Sequence, residues 1–465
     1  MKKIFTTMLL FVLARAGAQQ RVLTPQEFLQ IVKTYHPVAR QAALRVDMAA
    51  ADMVSARAGF DPVARYSNDR KELDNTLYYH QQVSEIRIPT WYGLDVQAGM
   101  ERLDGSRTHP SDTKGASAYL GFSMPVVKDL LMDKRRAALK QARIFREFSE
   151  EEQKAVVNNL LLEACKAYWA WWEQHQVAAL FTTALQNAEQ RLRLVKTAWA
   201  LGDRPAIDTV EALTQLQVFR MRQNEVETGV ANARLELGVY LWQAGEAPYD
   251  LPEAAVPRAV PFPAAAPDLA LLLATADRHP ELEQYKYKLE GLQVERKLKF
   301  QSLLPSVYVK YNQLGKGSSL STLTKAAQSP WLESNYRYGL SVSLPLRLSE
   351  GRGEYRKAGI KLVLARLEQQ NKRAGIHNKV KQYHNEWLQL LRQHRLQEEG
   401  IALYATLLRG EELKFRNGES SLFLLNAREQ KLLEAEQKRI ELQAKSGKVL
   451  AGLYAAAGAW PDTEW

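Results

Sequence analysis

Two kinds of hydrophobic periodicity alternate along the chain, and the alternation occurs twice. Strict alternation of apolar and polar residues, typical of a strand with one buried face, appears in ASAYLGFSMPVV and NYRYGLSVSLPLRL. Each stretch is followed by a very long helical pattern, from about residue 131 to 200 and from about 354 to 416. At ~1.5 Å per residue, helices of this length extend for about 100 Å. The pattern predicts a mainly α protein of the α+β class.

The same junction precedes the strands in both halves of the chain. A His-Pro pair occurs in YHPVARQ and again in RHPELEQ. Because the residue before proline avoids the helical region, each pair is predicted to end one short helix and to begin another. Pro62 lies 25 residues after Pro37, and Pro305 lies 25 residues after Pro280. The equal spacing indicates two copies of one structural repeat.

The repeats predict a domain organisation in which each copy has a strand region followed by a helical hairpin. The predicted segments are a first repeat at 19–250 (strands about 62–126, hairpin about 131–245), a proline-rich linker at 251–267 and a second repeat at 268–465 (strands about 305–346, hairpin about 354–458). The first strand region is longer than the second. Its excess, near residues 85–102, has strand-like alternation and is predicted to be an additional hairpin.

Residues 1–18 have the pattern of a secretory signal peptide. Lys2 and Lys3 precede the apolar run from Ile4 to Ala14, and Ala16 and Ala18 flank a predicted cleavage site. The alternative is a membrane anchor, but the run is shorter than the ~20 residues of a spanning helix. We therefore expect an exported protein.

Composition and motifs exclude several classes of protein. With 46% hydrophobic and 25% charged residues, the chain is not a disordered polymer. The single cysteine, Cys165, excludes an intrachain disulfide. The net charge of +11 permits an anionic partner, but no nucleic-acid-binding motif accompanies it, so a dispersed solvated surface is the preferred interpretation.

The sequence has no motif for catalysis, cofactor binding or metal binding. The HExxH pattern is absent, and His377 and His384 are seven residues apart. There is no complete phosphate-binding loop, no nucleophile elbow and no pair of cysteines. We therefore predict that the protein is not an enzyme and has no cofactor and no metal.

The predicted strands pose a problem of closure. Amphipathic strands in an exported chain suggest an outer-membrane barrel, but the smallest such barrels take about eight strands, more than the four to six predicted here. Because lipid does not tolerate open sheet edges, the strands would have to be shared between copies of the chain. The polar helices would then project from the membrane as antiparallel hairpins. Such a tube would serve as an export duct.

The ordered set of these features resembles the TolC family of outer-membrane efflux proteins over essentially the whole mature length. The motifs that carry the resemblance are the two His-Pro segments, GFDP at Gly59, the strand-ending FSMPVV and VSLPLRL, and the turns LGDRPAIDTVEA and NGESSLFLLNAREQ. The resemblance implies a homotrimer in which three protomers share a transmembrane β-barrel of twelve strands and a periplasmic α-barrel. The additional hairpin near residues 85–102 departs from the family's pattern and either enlarges this barrel or lies outside it.

The resemblance also implies a location and partners. The channel would lie in the outer membrane of a Gram-negative bacterium, contact outer-membrane lipid and extend into the periplasm. It would dock to a periplasmic adaptor protein and work with an inner-membrane transporter. The transporter would supply the energy, and the channel would conduct substrates passively.

The resemblance places the functional contacts at the two helical turns. Gly202 and Gly418 end long helices, where glycine adopts a left-handed backbone most easily, so a plain hairpin turn and adaptor docking are compatible interpretations. The residues implied at this tip are Gly202, Asp203, Pro205, Asp208, Gly418, Glu419 and Ser421. Glu411 and Glu412 are candidates for an acidic entrance, and the alternative for each is an ordinary solvated helix end.

Two groups of aromatic residues have competing interpretations. Trp169 and Trp172, in AYWAWWEQ, lie on one helical face and are interpreted as core rather than as a substrate-stacking site. A second group is interpreted either as membrane-interface aromatics or as simple sheet packing. Its members are Trp91, Tyr92, Tyr336 and Tyr338.

Two other classes of protein compete with the channel. A soluble periplasmic coiled-coil adaptor also has a helical hairpin, but usually only one, flanked by lipoyl-like half-motifs and accompanied by an anchor. An adhesin-like filament would show sustained heptads without repeated strand junctions. Two hairpins with amphipathic strands favour the channel, and the sequence does not identify its cargo.

Overall fold

The computed structural model describes residues 22–107, 109, 114–258, 261–262, 267–317 and 335–460, and it divides them between two compact units. Unit 1 draws on Met1–Leu44, Glu152–Leu282 and Lys372–Trp465, and unit 2 on Arg45–Glu151 and Glu283–Asn371. The predicted signal peptide lies outside the described residues, as does part of the predicted linker. The boundaries of the two repeats stay predictions.

Long helices dominate the described chain. In chain order the helices are α1 (Pro25–Tyr35), α2 (Pro37–Arg57), α3 (Lys134–Ala200), α4 (Ala206–Gly238), α5 (Leu269–Ala276), α6 (Pro280–Gln301), α7 (Ser349–Arg416) and α8 (Leu422–Ala457). The 67 residues of α3 and the 68 of α7 confirm the two very long helices that the sequence predicts. Among the described residues, no helix combines the length and apolarity needed to cross a membrane.

Within unit 1, each long helix is followed by a helix that returns along it. Thr182 of α3 lies 3.2 Å from the side chain of Gln223 of α4, and Glu189, nearer the end of α3, pairs with Arg220. The second hairpin has the same antiparallel order, since Glu386 of α7 pairs with Lys445 of α8 at 2.8 Å, and Glu398 lies 3.8 Å from Arg439. The predicted antiparallel α-hairpins are therefore confirmed.

The core of unit 1 is rich in aromatic residues. Trp169 and Trp172 are each only 3% exposed, which confirms that they are core residues. The Tyr168 hydroxyl donates to the Leu23 carbonyl at 2.9 Å, and the indole N–H of Trp172 donates to the Arg258 carbonyl at 3.1 Å. These bonds hold a small parallel pair formed by β1 (Val22–Leu23) and β8 (Val256–Pro257), so part of the predicted linker is fixed to the start of the described chain.

Two glycines of α8 let aromatic rings approach its backbone closely. The side chain of Trp169, from α3, fills the space where a Cβ of Gly447 would lie. Tyr383, from α7, does the same at Gly452. Both contacts lie within unit 1, and each puts a ring against the backbone of α8 from a different long helix.

A six-stranded antiparallel sheet forms the β part of unit 2. Its strands, in spatial order, are β10 (Tyr336–Ser343), β9 (Ser306–Lys316), β5 (Gly115–Pro125), β4 (Asp95–Asp104), β3 (Thr76–Pro89) and β2 (Val63–Leu73). In unit 1 the short strands β6 (Trp242–Gln243) and β7 (Ala247–Pro248) pair with each other. The additional hairpin predicted near 85–102 is the turn between β3 and β4, and both strands belong to the main sheet.

The two faces of this sheet differ in polarity, because paired residues share a face and neighbours along a strand alternate. One face carries apolar residues on all six strands, with members Ala64, Tyr66, Ile86, Ile88, Val96, Ala98, Met100, Leu120, Phe122, Met124, Val307, Val309, Tyr311, Tyr338, Leu340 and Val342. The polar residues Asn68, Gln82, Ser84, Arg102 and Gln313 lie on the same face. The other face is charged and polar, with members Arg65, Asp69, Gln81, Glu85, Arg87, Gln97, Glu101, Tyr119, Lys310, Asn312 and Arg337. A sheet of this kind separates an apolar from an aqueous environment.

The number of strands differs from the expectation. Twelve strands shared among three protomers would require four per chain, whereas the described sheet has six. Four of them come from the longer strand region predicted at 62–126 and two from the region at 305–346. In a single chain the sheet is open, with β2 and β10 at its edges.

Candidate functional site at the two hairpin turns

The two long helices end in the same hydrogen-bonded turn. Gly202 has a φ of 82° and Gly418 a φ of 80°. The Gly202 N–H donates to the Trp199 carbonyl and the Gly418 N–H to the Phe415 carbonyl, at 3.0 and 3.2 Å. These bonds, three residues back from a left-handed glycine, satisfy carbonyl groups that the end of a helix leaves without partners.

The residue after each glycine completes this motif. The Asp203 N–H donates to the Ala198 carbonyl at 2.9 Å, and the Glu419 N–H donates to the Lys414 carbonyl at 2.8 Å. Together the two bonds form a Schellman motif at each turn. The interpretation of Gly202 and Gly418 as hairpin turns is therefore confirmed.

The returning helices begin differently at the two turns. Ser421 is the N-cap of α8, and its hydroxyl accepts a hydrogen bond from the Leu424 N–H at 3.4 Å. Pro205 is the N-cap of α4 and offers no side-chain acceptor, while Asp208 lies in the first turn, where a negative charge favours the helix dipole. Both starts are within three residues of the glycine turn.

Arg204 joins the two turns, a role that the sequence did not indicate. Its guanidinium donates to the Phe415 carbonyl and lies 3.9 Å from the centroid of the Phe415 ring. Asp208 is 3.8 Å from the same guanidinium. A cation over an aromatic face, together with a charge-assisted hydrogen bond, gives Arg204 contacts that lysine could not reproduce.

A buried polar network links the two hairpins further from the turns. Arg191 of α3 makes two hydrogen bonds to the carboxylate of Glu429 of α8, at 2.5 and 2.8 Å. Asn426 accepts from Arg191 at 3.1 Å and donates to Glu211 of α4 at 3.2 Å. Because a two-pronged guanidinium–carboxylate pair fixes both distance and orientation, this network sets how the two hairpins meet within unit 1.

The acidic candidates have unequal surroundings. Glu411 accepts a hydrogen bond from the Ser420 hydroxyl, lies 3.8 Å from Arg428, and has a side chain that is only 12% exposed. Glu412 is partly buried, whereas Asp203 and Glu419 are exposed. Glu411 therefore has structural partners on its own chain, and the proposed acidic entrance stays a prediction.

Exposed apolar residues surround both turns, and the sequence interpretation missed them. Leu201 is 72% exposed and Phe423 66% exposed. The full set, which we call the apolar tip, consists of Trp199, Leu201, Ile207, Val210, Leu413, Phe423 and Leu424. Apolar side chains in the turn sequences ALGDRPAI and SSLFLL were the available signal, because a solvated turn does not require them.

The described residues contain no group of three or more histidine, cysteine or acidic side chains that could hold a metal ion. The features at the turns are instead those of a binding surface, with an apolar area bordered by charged residues.

The fold is that of known outer-membrane channels. The structure of CusC, which forms a transmembrane channel, matches with a TM-score of 0.67 at 15% identity, covering 97% of this chain and 96% of CusC. The MtrE outer membrane channel of Neisseria gonorrhoeae, in its open state, matches with a TM-score of 0.66 at 15% identity over 96% of this chain and 93% of MtrE. The outer membrane protein VceC of Vibrio cholerae gives 0.65 at 13% identity, covering 94% and 96%.

The likeness to these proteins is one of structure rather than of sequence. No protein-family model matches the chain, and no curated protein matches it. The structural matches nevertheless cover nearly the full length on both sides. The predicted fold, with long α-hairpins and a sheet of the kind found in TolC-like channels, is therefore confirmed.

Proposed function

We propose that the protein is an outer-membrane channel of a Gram-negative bacterium, the exit duct of a tripartite efflux or export system. The observation that carries this proposal is the two-faced sheet. It has a largely apolar face, a charged opposite face and two open edges, in a chain with the fold of CusC, MtrE and VceC. Lipid on one side and water on the other account for both faces.

The channel would work as a homotrimer. A single chain leaves β2 and β10 unpaired on their outer edges within the described residues, and such edges are not stable in lipid. Three copies related by a rotation axis would pair these edges and close the barrel. The polar face, with residues such as Arg65 and Lys310, would then line the lumen.

The turns are the proposed contact with a periplasmic adaptor. The apolar tip presents side chains such as Leu201 and Phe423, while Asp203 and Glu419 add exposed charge at its border. An apolar centre with a polar border is typical of a protein interface. An inner-membrane transporter would deliver the cargo, and the channel would conduct it without catalysing a reaction.

The competing hypothesis, a soluble periplasmic adaptor, leaves the sheet unexplained. A soluble protein would not keep Tyr338, Leu340 and Val342, each at least 63% exposed, on the same face of one edge strand. The fold also matches outer-membrane channels along nearly the whole chain.

Membrane fractionation followed by a mass measurement tests the proposal. The full-length protein is expected in the outer-membrane fraction, and the detergent-extracted particle is expected to have the protein mass of three chains. A soluble monomer in the periplasm would refute the channel and reopen the adaptor hypothesis.

A further inference from the structure

The outer edges of the six-stranded sheet are open. β2 pairs only with β3 and β10 only with β9, so no strand in the described chain covers their outer backbone groups. Tyr66, on β2, and Leu340, on β10, both lie on the apolar face, 66% and 63% exposed. A sheet in lipid must have both edges covered, because lipid offers no hydrogen-bond partner.

The directions of β2 and β10 allow these two edge strands to pair with each other between copies of the chain. Every neighbouring pair in the sheet is antiparallel. β2 leads away from the helix that precedes it, whereas β10 leads towards α7. Therefore β10 of one chain and β2 of a second copy can pair antiparallel, and the alternation of directions continues around a closed ring.

The register shows the tilt that a closed barrel requires. A line of paired residues begins at Ala64 and, after five steps across the sheet, reaches Tyr336. Counted from the helix-bearing ends, Ala64 is the second residue of β2 and Tyr336 the eighth of β10. When the helix-bearing ends of the two strands are set level, Ala64 and Tyr336 lie at different heights. At ~3.4 Å per residue along a strand and ~4.8 Å between strands, this difference in height corresponds to a strand tilt of about 40°. Membrane barrels have tilts of about 35–45°.

The additional hairpin is built into the sheet rather than attached beside it. β3 and β4 are paired from His80–Asp104 to Pro89–Asp95, so the edge of β4 is already occupied. The turn between them is also fixed, because Asp95 pairs with Arg135 at 2.9 Å and Trp91 packs 5.3 Å from Phe60, measured between ring centroids. If each chain contributed only four strands, either the pairing of β3 with β4 or the pairings of β2 with β3 and of β4 with β5 would have to break.

We infer that three copies of the chain close a barrel of eighteen strands, in which β10 of each protomer pairs with β2 of the next. This inference rests on the proposed trimeric channel, and it sets the diameter of the barrel. With the spacing and tilt above, eighteen strands give a backbone diameter of about 36 Å, against about 24 Å for twelve. The backbone cylinder of the barrel is therefore about one and a half times as wide as the resemblance implies.

The lining of this pore indicates the class of cargo. Barrels of about 16–18 strands leave an aqueous channel. The polar face carries both signs of charge, since Glu85, Glu101, Arg87 and Lys310 all belong to it, so no single sign dominates the lumen. The Tyr119 hydroxyl donates to Glu85 at 2.7 Å and Gln97 donates to Asn312 at 2.6 Å, which holds these groups along the wall. The cargo that fits is large, hydrated and not selected by charge.

Cysteine crosslinking between protomers tests the number of strands. In a Cys165→Ala background, Ser341→Cys on β10 is combined in turn with cysteine at three polar-face positions of β2 and at three of β4. The β2 positions are Arg65, Ser67 and Asp69, and the β4 positions are Gln97, Glu101 and Leu103. Trimer mass and outer-membrane location are measured first, so that a failure of the proposed channel is recognised separately.

The two strand numbers predict different crosslinks. Eighteen strands place β10 beside β2 of the neighbour, so oxidation should yield covalent dimers and trimers with at least one β2 position and none with β4. A twelve-strand barrel of β4, β5, β9 and β10 places β10 beside β4, which reverses the result, whereas one that leaves out the β3–β4 hairpin also places β10 beside β2. The pair Ser67→Cys and Val83→Cys, opposite each other in β2 and β3, separates that case, because their disulfide forms only if β2 keeps β3 as its neighbour. Crosslinks to β4, or an intact outer-membrane trimer without any crosslink to β2, would overturn the inference while leaving the channel standing.

Discussion

His36 and His279 hold the backbone of the helix that follows each of them in the same way. The Nδ1 atom of His36 accepts a hydrogen bond from the Val38 N–H at 3.2 Å, and that of His279 accepts one from the Glu281 N–H at 3.2 Å. Each ring therefore caps the helix that begins at the adjoining proline. The Nε2 atom of His279 lies 3.3 Å from the Ala455 carbonyl, which makes it the donor and leaves Nδ1 free to accept.

These caps predict a pH dependence of stability. Burial lowers the pKa of both histidines from the ordinary value of 6.5. Because the folded pKa lies below the unfolded one, their contribution is fully present above pH ~6.5 and is lost as the pH falls through the folded pKa. Thermal unfolding between pH 7.5 and 5 should therefore show a falling midpoint.

A double variant, His36→Asn with His279→Asn, isolates this effect. Asparagine can still cap a helix, but it does not titrate, so the variant should lose less stability on acidification than the natural chain. The same slope in both proteins would show that other groups cause the acid sensitivity.

Replacement of glycine by alanine is predicted to change stability in opposite directions at the two turns and inside a helix. Gly202→Ala and Gly418→Ala force a side chain into a left-handed backbone and should each lower the free energy of unfolding by about 1–2 kcal/mol. Gly410→Ala, inside α7 with open space around its Cβ position, should raise it by about 1 kcal/mol. Chemical denaturation measures all three, and equal effects would contradict the turn geometry.

Arg204 predicts a local change at the tip. Arg204→Lys keeps the charge but removes the planar contact with the Phe415 ring, so amide hydrogens on both sides of Gly202 and Gly418 should exchange at least tenfold faster, equivalent to ~1.4 kcal/mol. The matched control is Arg220→Lys, which alters an exposed ion pair between α4 and α3 and should leave exchange at the tip unchanged. If amide hydrogen exchange became faster at only one of the two turns, Arg204 would not join the two turns.

Neighbouring residues of β10 predict which face meets lipid. Leu340→Arg puts a charge on the apolar face and should cost about 2–4 kcal/mol near the middle of the bilayer, reducing the amount of trimer in the outer membrane. Ser341→Arg, on the polar face, should leave that amount nearly unchanged. Equal loss in both variants would contradict the assignment of the faces.

The sequence was sufficient for the helices and for their turns. The two long helical patterns correspond to helices of 67 and 68 residues, and the prolines and glycines of the turns act through the local backbone. Thr24 and Asp268 are residues of the type that caps helices, and their side chains accept hydrogen bonds from the Glu27 and Ala270 N–H groups at 3.1 and 2.9 Å. Local signals of this kind need no knowledge of the rest of the chain.

The strand number and the contacts of the tip depend on distant residues. An alternating pattern identifies a strand but not its neighbour, so the pairing of β5 with β9, about 190 residues away, was not predictable. Arg204 reaches Phe415 and Arg191 reaches Glu429 across more than 200 residues. Nothing in the spacing of these residues indicates that folding brings them together.

The close approach of two rings to α8 has a mechanical consequence. Trp169 packs against Gly447 and Tyr383 packs against Gly452. Sliding or rotating α8 at this level would therefore push a ring into its backbone. The part of α8 nearer its N-terminus, from Leu422 to about Ser446, has no such obstruction among these contacts. That part is tied to the other hairpin by the hydrogen bonds of Glu429 with Arg191 and of Asn426 with Glu211, so movement of the second turn requires these polar contacts to change while the segment packed against the two rings stays fixed.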